Sequence, residues 1–230
     1  MSKPKALMCW SSGKDAAWAL HVARLRNDVQ FVGLLTTITE TYGRVSMHGV
    51  REEILEAQAE SVGLPITKVY IPSPCPNELY EDKMRATLGA ALSRGVTRAV
   101  FGDLYLEDIR EYRTAQLARV GMQPVFPLWG MPTRKLAAEM IASGLRARLT
   151  CLDSRKVPAE LAGAEFGNQL LARLPAGVDP CGENGEFHSC CLDGPMFGKP
   201  VRVEVGDVEE RDGFVFTDLK LIGAAETCEA

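Results

Sequence analysis

Short apolar runs alternate with helical patterns through the first 130 residues, and this alternation limits the fold more than any other feature. Ala6–Trp10 is apolar throughout; polar Ser11–Asp15 follows, then the Ala-rich segment Ala16–Arg24, which reads as a helix. Phe31–Ile38 is continuous and rich in β-branched residues, the pattern of a strand covered on both faces. Leu55, Ala59 and Val62 stand at helical spacing before Gly63, a residue suited to end a helix. Ile66–Ile71 reads as a strand, and Tyr80, Met84, Leu88 and Leu92 recur every fourth residue until Gly95. Ala99–Phe101 and Val125–Leu128 supply two more strands with a helix between them. Repeated β-α units require right-handed crossovers and a parallel sheet, so the sequence predicts an α/β, Rossmann-like fold. Such sheets bind ligands at the carboxyl ends of their strands, which directs attention to the loops after Trp10, Ile38, Phe101 and Leu128.

The rhythm changes after Pro127-Leu-Trp. One helix is expected at Arg134–Ser143, with Leu136, Met140 and Ile141 on one face, and another around Phe166, Leu170 and Leu174. Turn-rich text from Pro175 gives way to alternating segments, Val201–Val205 and Phe214–Leu221, with Asp212-Gly213 before the second as a hairpin signal. The division expected is residues 1–130 as a parallel-sheet α/β domain and 131–230 as a smaller α+β domain.

Composition removes several classes of function. A net charge of −4, with no basic tail, argues against a general nucleic-acid binder. The seven cysteines are Cys9, Cys75, Cys151, Cys181, Cys190, Cys191 and Cys228; they are scattered and form no CxxC pair, so neither a secreted disulfide framework nor a zinc ribbon is indicated. The adjacent pair Cys190-Cys191 reads as core. There is no signal-peptide pattern and no apolar run long enough for a membrane helix, which predicts a cytoplasmic protein with no membrane partner.

Leu7–Ala16 is the segment richest in chemistry. It is neither a Walker A loop nor GxGxxG. Small residues at Ser11-Ser12-Gly13 nonetheless let backbone N–H groups approach an anion, the following helix adds the positive end of its dipole, and Lys14 adds a full charge. A plain βα turn, with Ser11 or Ser12 capping the helix and Lys14 solvated, fits the same residues. Either way Lys14 reads as an exposed loop lysine, whose removal is expected to cost at most about 0.5 kcal/mol of stability.

Ser11-Ser12-Gly13-Lys14-Asp15 resembles the PP-loop of the N-type ATP pyrophosphatases. Gly102-Asp103-Leu104 with Arg110 and Arg113, and Pro127-Leu128-Trp129, resemble that family's further segments. Cys181-Gly-Glu-Asn-Gly-Glu-Phe-His-Ser189 with Asp193-Gly-Pro-Met-Phe197 resembles the signature of its diphthine–ammonia ligase branch. Two loop positions depart from the common pattern: Ser12 stands where Gly is usual, tolerable at negative φ, and Ala16 stands where Ser or Thr is usual.

The resemblance implies a PP-loop (HUP-type) fold whose two domains face each other across a cleft. It also implies an enzyme that splits ATP between its α and β phosphates, with Mg²⁺ bridging them. A carboxylate acceptor forms an acyl-adenylate and ammonia then displaces AMP. In that family the acceptor is a modified histidine on an elongation factor; a small acid is the alternative, and a homo-oligomer is left open. Lys14 is the expected phosphate cation and, with Glu186 and His188, makes up the expected catalytic set. Ser11, Ser12, Gly13, Lys14, Asp15, Thr36, Gly102 and Asp103 are expected at the nucleotide. Asp15 and Asp103 are the metal candidates, although Asp15 equally suits a loop tie and Asp103 an exposed turn. Gly102 would admit a nucleotide close to the backbone. His48, Arg110, Arg113, Glu183 and Asn184 are the substrate candidates; the two arginines share a helix face, where pairing with Glu107 or Glu111 is the competing reading. Neutral His188 is the expected general base. Two other functions fit parts of this pattern: a PP-loop tRNA-modifying enzyme, and a non-catalytic ATP or AMP sensor.

Overall fold

A computed structural model describes residues 2–223, which leaves Cys228 outside the described residues. In chain order the elements are β1 (Lys5–Cys9), α1 (Lys14–Arg26), β2 (Gln30–Thr39), β3 (Arg44–Val45), α2 (Glu52–Val62) and β4 (Ile66–Ile71). Then come α3 (Asn77–Ser93), β5 (Val96–Val100), α4 (Glu107–Arg119), β6 (Gln123–Val125) and α5 (Thr133–Ala142). The remainder is β7 (Arg146–Asp153), α6 (Asn168–Arg173), β8 (Phe187–Asp193), β9 (Val203–Arg211) and β10 (Phe214–Leu221).

The first sheet is the predicted parallel one. β1 pairs in parallel with β2 on one side and β5 on the other, β4 extends the sheet beyond β2, and β6 extends it beyond β5. Both β3 and β4 pair with Ile38 and Thr39, so they flank β2 from opposite sides; the antiparallel β3 occupies the place beyond the end of β1. The chain leaves β1 toward β2 and β4 and later returns to β5 and β6 on the far side. The strand order therefore reverses between β1 and β5, and a crevice opens there at the strands' carboxyl ends.

Helix ends follow local chemistry. Gly63 takes φ +70° and Asn27 φ +56° as left-handed caps of α2 and α1. Three expectations need correction. β6 stops at Val125, and Pro127-Leu128-Trp129 forms a turn instead of continuing the strand, because Pro127 has no N–H to give a ladder. The helix near Leu170 has only six residues and excludes Phe166 and Leu174, which pack as loop residues against the core. The expected strand Val201–Val205 begins at Val203 and runs on to Arg211, turning through Asp212 (φ +55°) and Gly213 (φ +79°) into β10.

β8, β7, β10 and β9 form, in that order, a second, antiparallel sheet. One apolar cluster runs through both sheets, joining Met8, Trp10, Trp18 and Leu20 to Leu149, Phe187, Cys190 and Cys191. Cys190 and Cys191 are fully buried in it, as expected of core residues. No described helix is long and apolar enough to cross a membrane.

Candidate functional site

A cavity of about 340 Å³ opens at the reversal point and is lined by both sheets. It lies within the roughly 300–1,000 Å³ range of small-molecule sites. Its walls come from Ser11 in the loop after β1, the first residues of α1 (Lys14, Asp15), the carboxyl-end half of β2 (Thr36, Thr37), the loop after β5 (Gly102, Asp103), Arg113 on α4, His48 in the loop after β3, and Glu183, His188 and Ser189 from the second sheet and its approach.

The loop after β1 is not a capped turn. Gly13 is the residue before α1 and neither Ser11 nor Ser12 caps the helix; the Ser11 hydroxyl accepts the Gly13 N–H at 3.3 Å instead. Ser12 adopts φ +68°, outside the negative range in which serine is tolerable there, so this serine carries a left-handed conformation that glycine would take without strain. Its hydroxyl is buried without a partner, while its carbonyl accepts the Cys191 N–H at 2.8 Å and the Gln58 amide at 3.1 Å. Ser12 thus faces the second sheet and not the cavity. Gly13 has its own constraint, since a Cβ there would meet His48 Cε1 at 2.6 Å.

Lys14 is not an exposed loop lysine; it is 2% exposed. The Nζ donates to Asp15 Oδ2 at 2.8 Å and to the Cys181 carbonyl, and lies 5.3 Å from the ring centres of Phe166 and Phe187. Burial opposes the charge, but the Asp15 carboxylate and further anionic neighbours outweigh it and hold the ammonium above its usual pKa. The other Asp15 oxygen, Oδ1, is buried and unpartnered.

Gly102 is required by protein packing. A Cβ there would lie 2.7 Å from both Ala16 N and Asp15 C, so the loop after β5 meets the first turn of α1 backbone to backbone; no nucleotide is needed to explain the glycine. Asp103 is paired with Arg113, whose Nη2 donates to Oδ1 at 3.1 Å and whose Nε is 2.6 Å from Oδ2, with the guanidinium stacked on Phe101. The two arginines part company. Arg110 lies outside the cavity, 3.7 Å from Glu107 and stacked 4.6 Å from the Trp129 ring, so the side chain belongs to the Pro127–Trp129 turn and not to a ligand clamp. Thr36 lies within β2, and its hydroxyl donates to the Trp10 carbonyl at 2.6 Å.

The Gly182–His188 segment divides its work between a scaffold and a cavity wall. Glu186 is buried, and its carboxylate accepts from Asp179 N (3.1 Å), Asn184 N (2.9 Å) and Asn184 Nδ2 (3.1 Å). These bonds close the loop on itself. Glu186 and the exposed Asn184 tie the loop and do not line the cavity, where catalytic and substrate roles were expected of them. Glu183 does line the cavity; Oε1 accepts from Leu104 N (2.7 Å) and Tyr105 N (3.4 Å), and burial raises the carboxyl to about 7.

His48 and His188 pack together with ring centres 4.7 Å apart and planes tilted by 45°. His48 Nδ1 lies 3.0 Å from the Ser189 carbonyl, so Nδ1 carries the proton and Nε2 is left as an acceptor. Burial, with His188 adding to it, pushes His48 down to about 3; burial, with Lys14 adding to it, pushes His188 down to about 4. Both are neutral at pH 7. Cys9, also in the wall, is raised to about 12 by burial and is an inert thiol at that pH.

Sequence reasoning passed over Gln58, which knits the site together. It is fully buried, and its amide donates to the Ser12 and Cys191 carbonyls while its oxygen accepts Trp10 Nε1–H at 2.9 Å. The signal was present: Gln58 stands three residues after Leu55, on the apolar face of α2, where a polar side chain must find partners. Ser189, whose hydroxyl accepts the first helical N–H of α1 at 3.3 Å, carried no such signal.

The described residues contain no cluster of three or more His, Cys, Asp or Glu side chains able to cage a metal. A Mg²⁺ carried on phosphates needs only one or two carboxylates, and the orphaned Asp15 Oδ1 suits that requirement.

Comparison with known proteins finds two family models along the chain. The "Diphthamide synthase N-terminal domain" matches residues 4–124 and the "Diphthamide synthase C-terminal domain" residues 133–221. The diphthine–ammonia ligase of Danio rerio is 28% identical over 172 residues, covering 67% of this chain and 67% of that protein. That of Schizosaccharomyces pombe is 25% identical over 224 residues, covering 90% of this chain but 37% of its own length. That of Rattus norvegicus is 30% identical over 117 residues, 47% of this chain and 44% of that protein. The chain thus spans less than half of two of these three relatives.

Proposed function

The chain belongs to the diphthamide synthase family, and from that premise we propose that it is an ATP-dependent ligase that turns a carboxylate into an amide with ammonia. The observation carrying this reading is the meeting, in one cavity, of the N-terminus of α1 with its lysine and two neutral imidazoles from elsewhere in the chain. The first feature suits a polyphosphate and the second suits proton transfer.

In this reading residues 1–130 form the ATP-binding domain and 131–230 the substrate domain. The ribose and base lie toward Thr36, and the phosphates lie over Ser11, Gly13 and Lys14. The acceptor carboxylate attacks the α phosphorus; the bond to the bridging oxygen breaks, and pyrophosphate leaves with the electron pair. Lys14 stabilises the charge that grows on it, and losing such a group lowers turnover by about 10²–10³-fold. Ammonia then attacks the acyl carbon and AMP departs. The proton lost from nitrogen passes to His188, or to Glu183, whose pKa of about 7 suits a base working near neutrality. Arg113 fixes Asp103 at the mouth. Mg²⁺, held through Asp15 and Asp103, would neutralise phosphate charge. The acceptor implied by the family resemblance is a modified histidine on an elongation factor.

Pyrophosphate release from ATP, measured with and without ammonium and a carboxylate acceptor, tests the reading. The ligase gives release that depends on the carboxylate. ATP binding with no release under any combination would leave a nucleotide sensor and refute the ligase.

A further inference from the structure

A second cavity, about 640 Å³ and larger than the first, adjoins it through Val45, Met47 and His188, which line both. Strand register defines its floor. Glu209 pairs with Phe216, Phe216 with Cys151, and Cys151 with His188, so these four side chains form one row across β9, β10, β7 and β8. Directly paired residues point to the same face of a sheet, and neighbouring strands lie about 4.8 Å apart, so the row is about 14 Å long. It runs from the exposed edge strand to an imidazole that also lines the first cavity.

The opposite wall is fixed in place. Asp218 binds Arg51 through Nε (2.9 Å) and Nη2 (2.7 Å) and Arg44 through Nη2 (2.8 Å), clamping the segment after β2 onto the second sheet. The trough is therefore a built feature and not a gap between mobile loops. Its ends differ in charge. The inner end opens onto the first cavity, whose wall includes the ion-paired Lys14 and the start of α1, whereas the outer end carries the carboxylates Asp207, Glu209 and Asp212. Arg211 lies at the outer end over the rings of Tyr42 (4.8 Å) and Phe216 (5.0 Å), so those aromatic faces already accept a cation.

We propose that this trough is the acceptor's binding site, and that the acceptor is an elongated carboxylate carrying positive charge at the end remote from the reacting group. The proposal rests on the ligase reading for the direction in which the carboxylate points. A small free acid would leave the larger cavity unfilled and the outer carboxylates without a ligand partner. His188, common to both cavities, lies where the acceptor's tip would meet the nucleotide.

The test uses the full chain saturated with ATP–Mg²⁺ and calorimetric titration with ω-aminodecanoate, decanoate and γ-aminobutyrate. The first matches the trough in length and in charge at both ends, the second lacks the cation, and the third lacks the length. ω-Aminodecanoate is expected to bind at least about tenfold more tightly than either control. Asp207→Lys with Glu209→Lys, both on the exposed edge strand, should abolish its advantage over decanoate while ATP affinity stays the same. No binding of ω-aminodecanoate, equal affinities for the three probes, or an advantage that survives the double substitution overturns the proposal. If the unsubstituted chain binds no ATP but keeps the preference, the trough stands and the ligase reading falls.

Discussion

Replacing Lys14 with methionine tests the central electrostatic element of the site. The substitution keeps the aliphatic stem between Phe166 and Phe187 but removes the ammonium. Asp15, with 26% of its side chain exposed, then loses its one ion-pair partner, and its other oxygen already has none. The Cys181 carbonyl loses its lysine donor as well. Breaking a buried pair by removing one partner costs about 3–5 kcal/mol; the partial exposure of Asp15 brings the expectation to the lower end, about 3 kcal/mol. In a chain of this size 1 kcal/mol moves Tm by about 2–4 °C, so a fall of about 6–12 °C is expected in thermal unfolding followed by circular dichroism. Asp15→Asn should recover part of that loss in the double variant, because it removes the orphaned charge. A Tm within about 2 °C of the parent would mean that the ammonium is solvated, as the sequence alone suggests, and would refute the reasoning.

Ser12→Gly should stabilise the chain by about 1 kcal/mol by relieving the φ of +68° and removing a buried hydroxyl without a partner, read as a higher urea midpoint; a lower midpoint would contradict it. Gly102→Ala should destabilise by about 1–3 kcal/mol without any nucleotide present, because the new Cβ meets the backbone of Asp15 and Ala16; a variant as stable as the parent that fails only in ATP binding would return the glycine to a nucleotide role. His48 and His188 have folded pKa values of about 3 and about 4, below the ordinary 6.5. Their contribution to stability is therefore full above pH 6.5 and is lost as pH falls through those values. Urea unfolding across that window should show less acid sensitivity in His188→Gln than in the parent. Glu183 shifts the other way, from 4.5 to about 7, so its contribution is present below pH 4.5 and lost as pH rises through 7; Glu183→Gln should flatten that limb.

The elements of the first sheet were legible because periodicity is local. Ile66–Ile71 is a strand at the residues expected, and the run from Tyr80 to Leu92 lies within α3. β7 and β8 were not recognised. In Arg146–Asp153 and Phe187–Asp193 buried residues run together instead of alternating, which leaves no period-two pattern to read. Within the site, Lys14, Asp15, Thr36, His48, Asp103, Arg113, Glu183 and His188 do line one cavity, while Arg110, Asn184 and Glu186 do not. A motif names residue types at fixed spacing, but it does not say which of two neighbouring carboxylates satisfies its own loop and which faces outward.

The sequence by itself determined the β-α alternation, and hence a parallel sheet whose ligand edge follows Trp10 and Phe101; it also carried the two signature segments far apart in the chain. Tertiary structure alone decided what those segments do to one another. Lys14 and the Cys181 carbonyl are 167 residues apart, Gln58 and Cys191 133 apart, and His48 and Ser189 141 apart. Contacts across such separations leave no local period, because they depend on how the second sheet packs against the first turn of α1. That packing buries the lysine and keeps the two imidazoles neutral, since burial changes the free energy of a charge far more than any sequence neighbour does.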